Sequence, residues 1–148
     1  MPSGLDYLIL AERDRKFSLL GEKEFPDEYA VNGAAYHIQQ AIEKLLKGLI
    51  LINGETPEFT HDITKLYRHA KIINIDLPVE LEDVADSLTL WATKTRYDPS
   101  VCVLERKYSI AIEVYEKLHL SLKNIIDQIT HENEDGFDDY EDEQSRGR

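Results

Sequence analysis

Between Pro26 and the pair Asn53-Gly54 the chain runs without a proline, and its apolar side chains keep a helical rhythm. Ile38, Ala41, Ile42, Leu45, Leu46, Leu49 and Ile52 recur at three- and four-residue intervals, so they form one buried stripe of a helix over residues ~28–52. Such a helix is about 37 Å long at 1.5 Å per residue, and its stripe must be covered by other elements. The Asn53-Gly54 pair is a helix-stop signal, and Pro57 cannot continue the helix.

The partners are legible on either side. Residues ~5–20 read as a first helix with Leu5, Leu8, Ile9, Leu19 and Leu20 as its apolar positions, broken by Gly21 and Pro26. Thr60 suits the N-cap of a short third helix, with Asp62 in its first turn. Pro78 suits the first position of a fourth, striped by Leu81, Val84, Ala85, Leu88 and Ala92. After the turn Asp98-Pro99-Ser100, a last helix over ~103–130 buries Tyr108, Ile112, Tyr115, Leu122, Ile125, Ile126 and Ile129. No segment alternates with period two. The expected fold is all-α: an up-and-down antiparallel bundle of about five helices over residues 1–131.

Charge separates the remainder. The formal net charge is −12 over 148 residues, and residues 132–148 hold eight acids against two arginines. That segment has few apolar residues and reads as a disordered acidic tail. The rest of the chain carries 21 acids and 15 bases, which argues against broad duplex nucleic-acid binding. There is no apolar run of membrane-spanning length, and Met1-Pro2-Ser3-Gly4 has no signal-peptide character. One cysteine, Cys102, permits neither an internal disulfide nor a cysteine zinc site, so the expected compartment is the cytoplasm.

Three segments resemble one family. They are Ala35-Tyr36-His37-Ile38-Gln39-Gln40-Ala41-Ile42-Glu43-Lys44-Leu45-Leu46-Lys47-Gly48 on the second helix; Gly54, Pro57 and Thr60-His61-Asp62-Ile63 with Leu66 after it; and Thr95-Arg96-Tyr97-Asp98-Pro99. In that order and spacing, over about residues 5–130, the chain resembles the HEPN domain, named for higher eukaryote and prokaryote nucleotide binding. The resemblance implies a helical bundle, usually dimeric, found beside or fused to minimal nucleotidyltransferases, often in toxin–antitoxin or defence systems. Many members are metal-independent ribonucleases that use an arginine, four to six variable residues, then a histidine. Five to seven residues beyond Arg13, Arg15, Arg68, Arg96 and Arg106 this chain has no histidine; Arg96 is followed there by Val101, Cys102 and Val103. The group best suited to proton transfer near neutral pH is missing from the pattern.

The candidate ligand-binding set is Lys47, His61, Arg96 and Tyr97, with a secondary ridge of His37, Gln40 and Lys44. Lysines on one helix face, an arginine fork and a helix start are the groups that receive a phosphate. The same residues also admit a structural role: Glu43 and Lys47 form an i,i+4 pair, and His61 or Arg96 can satisfy helix-end backbone groups. No metal and no cofactor are expected. Glu116 and His119 make one Glu-x-x-His pair, but Pro57 and the Thr60 cap place the second, Glu58 with His61, outside a helix. Cys102 has no activating base near it in sequence, and Trp91 is expected in the core or a dimer interface. With these residues, the resemblance implies a non-catalytic homodimeric module that partners a nucleotidyltransferase, with a nucleotide as its candidate ligand. The alternatives are a divergent ribonuclease toxin using Arg96 with Tyr97 or His61, and a structural oligomerisation domain.

Overall fold

The structure, a computed structural model, describes residues 2–95, 97, 98, 100 and 102–146, with side chains described as far as 133. Five helices and no strand occur among them: α1 Gly4–Glu22, α2 Glu28–Ile52, α3 Ile63–Ile72, α4 Glu80–Thr93 and α5 Glu105–Arg146. The all-α expectation holds.

α2 is the axis of the bundle and touches each of the other four helices. Its expected stripe is buried, from Ile38 through Leu49, with Ile52 half-covered. Because neighbours surround it, Val31, Ala34, Ala35, Gln39, Glu43, Gly48 and Ile50 are buried as well. Asp27 caps its start by accepting from the Ala30 amide at 3.0 Å, and Gly54 takes φ +90° just beyond its end.

α1 packs on α2 differently from expectation. Of the five apolar positions only Leu8 is buried; Ala11, Asp14 and Ser18 make up the rest of the inward face. Small side chains let the two backbones approach closely. A Cβ on Gly48 would lie 3.1 Å from Tyr7 Cβ and 2.8 Å from Leu122 Cδ2, and one on Gly21 would lie 3.1 Å from the Ala30 carbonyl. Gly21 therefore sits inside the last turn of α1 as a packing residue, where sequence reading has it as a breaker. Ser3 and Asp6 form a capping box at the other end.

Two helix boundaries are corrected. Asp62, not Thr60, caps α3, accepting from the Thr64 amide at 2.9 Å, while the Thr60 hydroxyl accepts from Asp62's own amide at 3.1 Å. Pro78 lies two residues ahead of α4, in a turn where its carbonyl accepts from Leu81 at 3.1 Å. α5, expected over ~103–130, starts at Glu105 and leads into the acidic segment 132–148. No proline interrupts that segment, although no buried position lies beyond Leu122 among the described side chains. In α5 the buried line is Tyr108, Ala111, Val114, Tyr115, Leu118 and Leu122; Ile112, Ile125 and Ile126 are half-buried and Ile129 is exposed. Trp91 is in the core. No described helix is long and apolar enough to cross a membrane.

Candidate functional site

Glu43 stands in the buried face of α2, between Ile42 and Leu46, with only 4% of its side chain exposed. A carboxylate there must be met by donors, since an unpaired buried charge is strongly unfavourable. Three groups meet it: Lys47 Nζ reaches Oε2 at 3.2 Å, His61 Nδ1 lies 2.9 Å from Oε1, and Gln39 Nε2 is 3.4 Å from Oε1. Gln40 Nε2 in turn donates to Gln39 Oε1 at 2.7 Å. The Tyr7 phenol is pushed up from its ordinary value by burial first, then by the Glu43 charge.

A second carboxylate, Asp14, comes from α1 into the same ridge. Lys44 Nζ pairs with its Oδ2, and His37 Nδ1 lies 3.0 Å from its Oδ1. The His37 ring stacks on Phe17 with centroids 4.9 Å apart and meets the edge of Tyr36 at 5.3 Å. His37 and Lys44 thus tie α2 to α1 through Asp14, whereas Gln40 belongs to the Glu43 group, which ties α2 to the α2–α3 connection through His61; the two groups lie along α2 as a polar seam.

The structure brings Lys47 and His61 together, on Glu43. Tyr97 is elsewhere. It lines an open groove of about 520 Å³ with Tyr29, Asn32, Gly33 and Tyr36, at the start of α2. Tyr36 precedes Lys47 by eleven residues on that helix, about 16 Å along its axis. Arg96 lies outside the described residues. Lys47, His61 and Tyr97 therefore do not converge on one ligand-sized volume. Asp14 and Gln39 are members of the seam that sequence reading missed. Asp14 was detectable as a charge on the small-residue line of α1, one turn after Ala11 and one before Ser18.

The Glu43–His61 pair has a further property. Its carboxylate is sealed, yet 70% of the His61 side chain is exposed. An ionised carboxylate only accepts, so Nδ1 carries the proton and Nε2 is left for solvent or a ligand. Among the described residues no group of three or more His, Cys, Asp or Glu side chains is arranged to hold a metal ion. Cys102 is exposed, beside Pro26, Val31 and Glu105 in a cavity of about 220 Å³.

These features define the class: an all-helical bundle whose central helix carries a polar seam satisfied by its neighbours. The model of the HEPN domain family matches residues 21–125, more than half of the chain. The chain belongs to the HEPN domain family. No curated protein and no solved structure matches it.

Proposed function

We propose that this chain is a non-catalytic HEPN-type interaction module that acts as a homodimer and partners a minimal nucleotidyltransferase. The carrying observation is α1. Its inward face is small and polar, while Leu5, Ile9, Phe17, Leu19 and Leu20 are each between 41% and 57% exposed. Leu5, Ile9 and Leu20 lie on the side of α1 away from α2, and five large apolar side chains on one helix mark an association surface. The seam supports the same reading, because Lys44 and Lys47 are already committed to Asp14 and Glu43. The arginine–histidine spacing of the ribonuclease members is also missing from the sequence.

Light scattering at tens of micromolar tests it. The wild type gives the mass of two chains, with roughly 1,200 Å² or more buried in total, and the double variant Ile9→Lys/Leu20→Lys gives the mass of one. A wild-type monomer overturns the reading.

One observation favours a second reading, a divergent ribonuclease: the exposed imidazole of His61 held by a buried carboxylate, an arrangement suited to proton transfer. Cleavage of structured RNA above a mock preparation, lost in His61→Ala, would replace the first reading with this one.

A further inference from the structure

α3 differs in charge from everything around it. In a chain with 29 acids and 17 lysines and arginines, its ten residues hold Lys65, Arg68, His69 and Lys71 and no acid. Leu66 and Ala70 turn inward, and α3 touches α2 and α4 but neither α1 nor α5 among the described residues. Its outer side is a groove of about 420 Å³ lined by Lys65, Arg68, His69 and Ile72, with Glu58 as its one carboxylate. Ile72 is 78% exposed. The other lysines placed on the helices tend to be spent: Lys44, Lys47, Lys117 and Lys123 are in ion pairs, and Lys107 donates to the Asp83 carbonyl. Lys65, Arg68 and His69 have no such side-chain partner among the described residues.

The same chain carries the complement. Residues 132–143 hold eight acids and, among them, Phe137 and Tyr140. Acids interleaved with two aromatics match a groove of cations beside an exposed isoleucine better than a bare polyanion does, because the isoleucine then also finds a partner. This segment begins ten residues beyond Leu122, about 15 Å along α5 past the last buried position among the described side chains. Among the described residues α5 has no contact with α3. A second copy can present its α3 to the segment.

We propose that the outer groove of α3 is the docking site for the acidic segment 132–143 of a second copy of this chain, with Lys65 and Arg68 pairing its carboxylates and Ile72 meeting Phe137 or Tyr140. The contact uses a different face from the α1 surface and stands independently of it.

Zero-length carbodiimide crosslinking of the full chain, mixed in equal parts with an isotopically heavy copy, tests it. The expected products join Lys65 to carboxylates of 132–143 with heavy–light pairs at their statistical share. They fall severalfold in Arg68→Glu, in Phe137→Ala and at high salt, which screens exposed charges. Circular dichroism checks that the variants keep their helix content. In Ile9→Lys/Leu20→Lys the crosslinks persist, so failure of the α1 dimer and failure of this contact are read separately. Crosslinks found only within one copy, crosslinks from the segment that do not favour Lys65, or yields indifferent to Arg68→Glu each overturn the proposal.

Discussion

His61 Nδ1 lies 2.9 Å from Glu43 Oε1, and this contact fastens the connection between α2 and α3 to the middle of α2 eighteen residues back. Lys47 holds the other oxygen of the same carboxylate at 3.2 Å. A ligand phosphate approaching Lys47 and His61 would have to compete with a carboxylate already in place and almost sealed from water. The seam's first role is therefore to position helices.

Glu43→Ala tests that role directly. It leaves the Gln39 amide buried without an acceptor and Lys47, only 12% exposed, without its counter-charge. Losing one side of a mostly buried pair costs about 2–4 kcal/mol, the lower part applying because the His61 ring is largely in water. Glu43→Gln keeps the volume and loses roughly half as much. Urea denaturation reads both, and an unchanged midpoint for Glu43→Ala contradicts the assignment.

A pair of glycine substitutions on one helix should move stability in opposite directions. Gly48→Ala gains helix propensity worth ~1 kcal/mol but forces a Cβ against Tyr7 and Leu122, where overpacking costs ~1–3 kcal/mol. Leu122 can turn its methyl aside more easily than α1 can move Tyr7 Cβ, so the net is a loss of ~1 kcal/mol. Gly33→Ala meets nothing within 4 Å and gains up to ~1 kcal/mol. Thermal midpoints measured side by side check the signs.

What the sequence reveals follows from periodicity. α2 was legible to the residue, Glu28 to Ile52, because its stripe is long and its stop signals are strong. α1 was legible as a helix but not as a face. Its buried line of Leu8, Ala11, Asp14 and Ser18 is not hydrophobic enough to stand out, and its most apolar residues point away from the core. The cap of α3 was ambiguous because Thr60 and Asp62 are both good caps, and only backbone geometry chooses between them. For the site, the i,i+4 pairing of Glu43 with Lys47 could be read from spacing alone. The joining of Asp14 to His37 and Lys44 spans 23 and 30 residues, and no local pattern encodes it.

The division of the candidate residues between two places has its own consequence. Lys47→Ala should behave as a structural substitution, lowering stability by ~1–2 kcal/mol because Glu43 keeps fewer donors. Any rise in midpoint that ATP or GTP gives the wild type should persist in Lys47→Ala, since ligand stabilisation depends only on preferential binding to the folded state. A thermal-shift screen in which Lys47→Ala keeps wild-type stability and loses a nucleotide response would return Lys47 to a binding role.

The alkaline limit of stability is set in part by two tyrosines of α5. Tyr108 and Tyr115 are 3% and 7% exposed, and burial pushes both phenols from 10.0 up to about 12. Acids near them, Glu22 for Tyr108 and Glu12 with Glu116 for Tyr115, push the same way, while Arg15 opposes. The sign follows from proton counting. Between the unfolded and folded values the folded chain holds protons that the unfolded chain has released, so rising pH favours unfolding. This contribution is fully present below pH ~10 and is lost as the pH climbs through about 12. Tyr115→Phe removes one of the groups whose ionisation drives unfolding, and it should move the alkaline loss of helical circular dichroism to higher pH. Tyrosinate absorbance followed in parallel should show a fraction of the tyrosines ionising only together with that loss. If absorbance reaches its plateau while the helix signal is intact, the two phenols ionise inside the folded bundle and the linkage is wrong.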